Sequence, residues 1–335
     1  MRIFENYSLK AYNTFGIDCN AAFFAVVTSV SELRKILTQS DFLHLPKLFL
    51  GGGSNILICR DYEGLVILID LKGIYDLGDG LIKVQAGENW HEFVLWSINN
   101  GYNGIENLSL IPGKIGAAPI QNIGAYGVEL KDVFIELEAF HIDSEEIRLF
   151  DRESCHFAYR ESVFKNINKG KYIILSVTIQ LREDGIVNTS YGPIADLLDQ
   201  MSIYNPSPKD VSDAIISIRS SKLPNPKEIG NSGSFFKNPV IPISHFQDIK
   251  KEYDDFPSYP VNNSVVKVPA AWLIEKTGWK GKRIGNYGVH DKQALVLVNY
   301  GGAKGKDIYK LAQDIQSSVK DMFGIPLQME VNIIK

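Results

Sequence analysis

The run Gly51-Gly52-Gly53-Ser54-Asn55 constrains the fold more than any other stretch of this chain. It lies between two segments that read as extended, Leu48-Phe49-Leu50 and Ile56-Leu57-Ile58. Successive small residues let backbone N–H groups converge on an anion with no side chain in the way. Where such a run opens a helix, it marks a Rossmann or P-loop phosphate site. Here Ile56 stands where the dinucleotide fingerprint needs its third glycine, Ile56-Leu57-Ile58 has strand character, and no Gly-Lys-Ser/Thr occurs. A doubly wound sheet is therefore disfavoured. Taken alone, the run is as readily a hairpin turn. A second small-residue stretch, Pro112-Gly113-Lys114-Ile115-Gly116-Ala117-Ala118-Pro119-Ile120-Gln121-Asn122-Ile123-Gly124-Ala125-Tyr126-Gly127, changes that balance. Two nests in one strand-rich region predict a dinucleotide lying across a mixed α+β fold.

The 335 residues suggest about two or three domains. With 45% hydrophobic and 22% charged residues, the chain has the composition of a soluble globular protein. A net charge of −4 and a pI of about 5.9 argue against nucleic acid or an anionic membrane as partner. No apolar run reaches membrane-spanning length, and Met1–Lys10 has no export-signal core. The three cysteines, Cys19, Cys59 and Cys155, form no C-x-x-C and read as reduced thiols of a cytoplasmic protein. The six histidines show no ligand spacing, so no metal is expected.

Strands are expected at Phe23–Val27, Gly64–Asp70 and Leu81–Ala86, with a helix capped by Ser31 running through Leu37. Asn89–Asn100 reads as a helix stopped by Gly101, and Pro112–Gly127 as one long loop. Val133–Ile142, Glu146–Phe150 and Tyr172–Leu181 form an expected antiparallel set. Ser207-Pro208 opens a helix that ends before Leu223-Pro224-Asn225-Pro226, an expected domain link. Beyond it come a helix at Pro269–Lys276, a strand at Gln293–Asn299 and a helix at Lys306–Phe323. Leu327–Ile334 alternates cleanly and is expected to be one closing strand, with Glu330 on its polar side. Asn231–Pro239, rich in glycine, serine and asparagine around a Phe pair, reads locally as a turn before a short strand.

Several separated segments give these observations a common meaning. Asn13-Thr14-Phe15-Gly16, the Gly51 run, Ala86-Gly87-Glu88-Asn89-Trp90 and Ile111–Glu129 occur in order. Phe157-Ala158-Tyr159-Arg160-Glu161-Ser162, Arg219-Ser220-Ser221-Lys222-Leu223-Pro224, Gly230–Pro239 and Ala271-Trp272-Leu273-Ile274 come after them. Together they resemble the UDP-N-acetylenolpyruvoylglucosamine reductase family over nearly the whole chain. The resemblance implies a vanillyl-alcohol-oxidase/PCMH-type FAD-binding fold in two subdomains, 1–70 and 71–221, and a C-terminal α+β substrate-binding domain, 222–324. The strand 325–335 is expected to return to the first subdomain. FAD is expected to be noncovalent, because Gly51–Asn55 contains no histidine for attachment. NADPH is the expected co-substrate, and the chain is expected to act as a monomer. The segments Ser190-Tyr191-Gly192-Pro193 and Pro257-Ser258-Tyr259-Pro260 indicate the longer subtype, in which a tyrosine loop closes over the substrate.

By the same resemblance, Gly51, Gly52, Gly53, Ser54, Asn55, Pro112, Gly113, Ile115, Gly116, Ala117, Gln121, Asn122, Gly124, Ala125, Tyr126, Gly127 and Arg219 hold the cofactor. Many members carry hydroxyl residues at Ala117 and Ala118, so backbone groups would make the contacts there. The implied reaction reduces an enolpyruvyl ether to a lactyl ether. Arg160 suits the substrate carboxylate, since a guanidinium is permanently charged and forked. Ser234 would protonate the enolate-like intermediate. Glu330 would repel an anionic substrate unless protonated or paired with Arg160. Tyr191, Lys222, Asn238, Tyr259, Lys280 and Gln293 are implied for the UDP-sugar substrate. A different FAD oxidoreductase on the same fold, or a nucleotide-binding module without chemistry, remains an alternative. Yellow colour excludes the latter, and substrate-dependent NADPH oxidation separates the other two.

Overall fold

The computed structural model describes all residues from Met1 to Lys335, divided into two compact units. The first comprises Met1–Tyr7, Ala21–Gly52 and Glu63–Ser221; the second comprises Ser8–Asn20, Gly53–Tyr62 and Lys222–Lys335. Strands and helices intermix in both, giving the α+β class read from the sequence.

The first unit is built on two sheets. In the four-stranded one, the order is Ile3–Ser8, Asn20–Val27, Tyr62–Ile69, Lys47–Leu50. Its last pair is parallel, with Lys47 opposite Leu65 and Leu50 opposite Leu68. The helix Val30–Thr38 buries Leu33, Ile36 and Leu37, the i, i+3, i+4 stripe of an amphipathic helix. Its cap is Ser29, not Ser31. Ser29 Oγ accepts the Glu32 amide at 3.2 Å while the Glu32 carboxylate returns to the Thr28 amide at 2.9 Å. Only Ser29 stands three residues before that glutamate, as a reciprocal cap requires.

The five-stranded sheet runs Ile147–Asp151, Phe134–His141, Tyr172–Gln180, Leu81–Gln85, Ile74–Asp76, antiparallel throughout. Tyr172–Gln180 is buried at seven consecutive positions, Ile173–Ile179, because both its faces are covered. Ile174, Val177 and Ile179 enter one core, and Ile173 and Leu175 another. The helix Trp90–Asn99 begins where Asn89 caps the Glu92 amide at 3.1 Å, and it buries Trp90, Phe93 and Val94.

Pro112–Gly127 is more ordered than a long loop. It contains the 3₁₀ turns Ile115–Ala117 and Pro119–Gln121, then a hairpin pairing Gly124–Ala125 with Val128–Glu129. Tyr126 (φ 51°) and Gly127 (φ 82°) close that hairpin. Positive φ at both corners is the type I′ arrangement, whose twist matches that of paired strands. The helices Gly192–Gln200 and Pro208–Lys222 enclose a satellite core of Ile194, Leu198, Val211, Ala214, Ile215 and Ile218, with Tyr126 packed against it.

In the second unit a four-stranded sheet runs Gly230–Ser234, Val296–Asn299, Tyr287–Val289, Arg283–Ile284, and a three-stranded one runs Val240–Pro242, Val265–Lys267, Tyr259–Pro260. Helices Ile243–Glu252, Ala270–Lys276 and Gly305–Phe323 complete it. Trp272 joins them, with ring centroids 4.6 Å from Phe256 and 5.7 Å from Phe323.

Two expectations change here. Gly230–Ser234 is a strand, not a turn. Gly230 and Asn231 pair with Asn299 and Val298, the register shifts, and Ser234 pairs with Val296. Gly233, at φ +66°, supplies the left-handed residue of this bulge. Leu327–Ile334 is not one strand either; only Asn332–Ile334 is. Before Val331 the segment is tied to the Ser234 region, with Lys237 N on Gln328 O at 2.9 Å and Glu330 N on Phe235 O at 2.8 Å. After it, the chain pairs in parallel with Ile56–Ile58. The alternation is real, but the segment changes partner midway.

Candidate active site

The second glycine-rich segment in the first unit rests on a floor made by Ala86–Trp90. Gly116 N donates to Ala86 O (3.0 Å), Ile115 N to Glu88 O (2.9 Å) and Trp90 N to Gly113 O (3.0 Å). A Cβ on Gly116 would lie 2.7 Å from Ala86 Cβ, and one on Gly52 would lie 3.0 Å from Gly113 Cα. Glycine is thus required for contact as much as for backbone freedom, and it brings Gly52 against the Gly113 turn. Ile115 is buried, so it offers a ligand only its backbone, whereas the Ala117 methyl is accessible. Asn122 is also turned inward: its amide donates to Glu129 Oε2 (3.0 Å) and Ala158 O (3.2 Å) and accepts from Lys131 N (3.0 Å). Gln121, Gly124 and Ala125 are half-buried along the hairpin, and Pro112 stands at the start of the segment.

Arg160 is held at the second corner of a tight turn closed by reciprocal bonds between Ala158 and Glu161, with φ +55°. A non-glycine residue in that region costs about 1–2 kcal/mol. Its Nη2 donates to Gly124 O at 2.7 Å, which fixes the guanidinium beside the hairpin. Arg219, on the helix Pro208–Lys222, is within hydrogen-bonding reach of the Tyr126 hydroxyl and feels the like charge of Arg160. Burial lowers the pKa of Arg219 from its ordinary value, and its Nε is buried with no hydrogen-bond partner. The Tyr126 ring meets Tyr191 edge-on, with centroids 5.3 Å apart. Arg160, Arg219, Tyr126, Gly124 and Tyr191 are therefore brought together. Two guanidiniums and an unpaired buried N–H form a surface that calls for an anion.

The second unit gathers a different set. Thr14 N and Oγ1 both donate to Gly53 O (3.0 and 3.3 Å), and Asn231 N donates to Thr14 O (3.0 Å). Asn55 Nδ2 donates to Glu330 O at 3.4 Å, and Asn55 O accepts from Asn332 N at 3.0 Å. Ser54 lies between these anchors and is half-buried. The Phe235–Glu330 bond lays the segment that carries Glu330 beside the end of the Ser234 strand, and Ser234 is exposed on that strand. Asn238 uses its carbonyl to cap the Ala270 amide (3.0 Å), which leaves its NH₂ as the donor. Lys280 Nζ reaches both Glu275 oxygens at 3.0 Å. Tyr259 is an exposed strand residue, Gln293 accepts the Leu295 amide (3.2 Å) in the turn before Val296, and Lys222 is exposed at its helix end. The structure thus places Arg160 and Arg219 in one unit, and Ser234, Glu330, Lys222, Asn238, Tyr259, Lys280 and Gln293 in the other.

Two contributors are not evident from the sequence. Lys114 Nζ donates to Gly87 O (2.7 Å) and Asp70 Oδ1 (3.2 Å), bracing the second glycine segment. Burial, with Lys72 beside it, holds its pKa below the ordinary lysine value. A lysine amid small residues is the signal that could have found it. Thr14 stands in the sequence only as part of a motif; its hold on Gly53 explains that motif physically.

These features define an FAD-binding oxidoreductase: residues 21–149 match the FAD binding domain family, and the glycine contacts and the unpaired Arg219 N–H fit a dinucleotide with its diphosphate. Residues 225–334 match the family of the UDP-N-acetylenolpyruvoylglucosamine reductase C-terminal domain. Over its full length the chain is 51% identical to UDP-N-acetylenolpyruvoylglucosamine reductase of Flavobacterium johnsoniae and 50% identical to that of Amoebophilus asiaticus, with all of each relative covered. The chain belongs to the UDP-N-acetylenolpyruvoylglucosamine reductase family. The crystal structure of such a reductase from Thermus caldophilus superposes with a TM-score of 0.70 at 23% identity, covering 100% of both chains, and shares the fold.

Proposed function

We propose that this protein catalyses the NADPH-dependent reduction of UDP-N-acetylglucosamine enolpyruvate to UDP-N-acetylmuramate in peptidoglycan precursor synthesis. Bound FAD supplies a route for one hydride from NADPH to the vinyl CH₂ carbon. The chain's residues manage charge and the proton. Arg160, fixed on Gly124 O, forks onto the substrate carboxylate and balances the negative charge that grows there. Ser234 Oγ donates its proton to the carbon that bore the double bond, which completes the lactyl ether. Glu330, in its protonated form, shares a hydrogen bond with the enol-like oxygens, so that no second carboxylate repels the substrate. The net change consumes NADPH and one proton and yields NADP⁺.

In this reading 1–70 and 71–221 are the cofactor subdomains, and 222–324 holds the sugar nucleotide. Tyr191, Lys222, Asn238, Tyr259, Lys280 and Gln293 contact the UDP-sugar. FAD is held noncovalently by Gly51–Asn55, by the backbone of Pro112–Gly127 and by Arg219. The protein works as a cytoplasmic monomer. No helix is long and apolar enough to cross a membrane.

The observation that supports this reading is the backbone bond from Glu330 N to Phe235 O, 2.8 Å, which ties the segment that carries Glu330 to the strand end that carries Ser234. Anaerobic stopped-flow of Ser234→Ala tests it. Flavin reduction by NADPH should keep its wild-type rate while reoxidation by the enolpyruvyl substrate is lost. Equal loss in both half-reactions would remove Ser234 from the proton-transfer role.

A further inference from the structure

We propose that Asn107 is a positioning residue that fixes the spacing between the Tyr126 hairpin and the segment leading to Tyr191. This rests on the reading above, in which those two tyrosines serve the flavin and the sugar nucleotide.

Asn107 sits on the 3₁₀ turn Glu106–Leu108 and is 1% exposed. Its carboxamide nitrogen donates to two carbonyls from chain-distant segments: Tyr126 O at 3.0 Å and Asn188 O at 2.9 Å. Both protons of one buried NH₂ are used, and each goes to a segment bearing a candidate ligand residue. The Tyr126 carbonyl belongs to the left-handed corner of the type I′ hairpin. Holding it fixes the hairpin plane, and with it the Tyr126 hydroxyl near Arg219. On the other side, Asn188 Oδ1 accepts from Ser190 N (3.0 Å) and Ser190 Oγ (2.6 Å), a local turn that aims the chain at Tyr191. The edge-on Tyr126–Tyr191 contact is thus set by the backbone tie behind it as well as by the rings.

The turn that carries Asn107 is itself immobilised. Trp90 Nε1 donates to Leu108 O (3.0 Å), and the Ser109 and Ser212 hydroxyls meet at 2.8 Å, joining this turn to the helix of Arg219. Asn103 performs a separate task further back, donating to Asp184 Oδ1 (3.0 Å) and Ile186 O (2.7 Å) without touching the hairpin. An apolar residue could fill the volume of Asn107. It could not hold two carbonyls of separate loops, and each, in a part-buried position, would lose this donor.

Two variants and one variant-free measurement test the proposal on the FAD-loaded enzyme. Asn107→Asp keeps the size and turns an oxygen toward both carbonyls; Asn107→Ser removes the crossbar more gently. Both should raise the KM for the enolpyruvyl substrate by about tenfold or more, the factor equivalent to one lost hydrogen bond. Hydrogen exchange should quicken at residues 124–130 and 186–191 together, in apoprotein and FAD-loaded protein alike. Asn103→Ala, the control, should lower stability and leave KM within about twofold. In the wild type, the Leu130 and Ser190 amides should open as one unit across a denaturant series, a result that holds even if neither Asn107 variant folds. Unchanged KM with lowered stability, or independent opening of those two amides, overturns the proposal. Loss of the proposed activity in the wild type itself would refute the functional reading, while the exchange data would still decide the role of Asn107.

Discussion

The Gly116–Ala86 contact sets a quantitative expectation for how closely the second glycine-rich segment must sit on its floor. Gly116 has no positive φ, so alanine there meets no backbone penalty and its whole cost is contact. The new methyl would lie 2.7 Å from Ala86 Cβ, 3.3 Å from its Cα and 3.4 Å from its carbonyl oxygen. Carbon pairs settle at about 3.5–4.0 Å, so loop and floor must part by about 1 Å. Ala86 is 3% exposed, so the floor has nowhere to yield, and Gly116→Ala should cost about 1–3 kcal/mol. Ala86→Gly removes the opposing methyl at a cost of about 1–2 kcal/mol in burial and chain entropy. In the double variant the 2.7 Å contact is gone and only the milder ones to the backbone of residue 86, 3.3 and 3.4 Å, remain. The double variant should therefore be about 2 kcal/mol more stable than additivity predicts, well outside the roughly 0.5 kcal/mol within which independent sites add. Urea unfolding of the four apoproteins measures the coupling, and FAD titration followed by flavin fluorescence measures the function. Gly116→Ala should bind FAD about tenfold more weakly, equivalent to about 1.4 kcal/mol, and Ala86→Gly should restore it. Additive stabilities together with unchanged FAD affinity in Gly116→Ala would refute the idea that this contact sets the loop.

Buried titratable groups lead to two further outcomes. Burial pushes the Cys19 and Cys155 thiols up to about 12, with nearby aspartates adding to it, and raises Cys59 as well. Iodoacetamide at pH 8 should spare Cys19 and Cys155 in the native protein and label all three thiols in urea; native labelling of Cys155, read by mass spectrometry, would contradict this. His91 is lowered by burial, with Glu92 opposing and Arg219 adding, and its Nδ1 accepts the Leu110 amide at 3.0 Å. The unfolded chain therefore takes up this proton first as pH falls. The contribution is complete above about pH 6.5 and is lost from there toward the lower folded pKa. His91→Asn keeps an acceptor for Leu110 without titrating, so its urea midpoint should fall less than that of the wild type between pH 7.5 and 5.5. The remaining slope should come in part from His290, which burial also lowers. Identical slopes in variant and wild type would count against this assignment.

The α+β class was legible in the sequence because the glycine run lay between strands, and Asn89–Asn100 was legible because its apolar residues and the Gly101 stop agreed. The Ser29 cap was hidden because two serines flank one helix start, and only the position of Glu32 decides between them. Leu327–Ile334 shows the limit of periodicity: alternation tells which side chains share a face, but not that the backbone leaves Phe235 for Asn55 at Val331. Gly230–Ser234 reads as a turn because its bulge and its partner strand are invisible locally. The turn that holds Asn107 left no signal, since Asn103, Glu106, Asn107 and Ser109 are residue types that usually face water. All four are buried here: Asn103, Asn107 and Ser109 meet distant carbonyls and a hydroxyl, and Glu106 accepts the amide of Gly104 beside it. Among the site residues, the glycine contacts and Arg160 could be singled out from motif and chemistry. The inward use of Asn122 and of the Asn238 carbonyl depends on partners that no local pattern names.

Arg160 and Tyr126 both occupy left-handed corners that glycine would fill at no steric cost. Relief of that strain, about 1–2 kcal/mol, is comparable with the hydrogen bond that the Arg160 side chain makes to Gly124 O. At this corner the backbone itself favours glycine over arginine by about 1–2 kcal/mol. A library of this protein screened only for expression or heat resistance would reward the relief of backbone strain at position 160 and would not register the loss of the role proposed for Arg160. Any stabilisation campaign on this scaffold needs turnover in its screen, because at this corner foldedness does not report on the role proposed for Arg160.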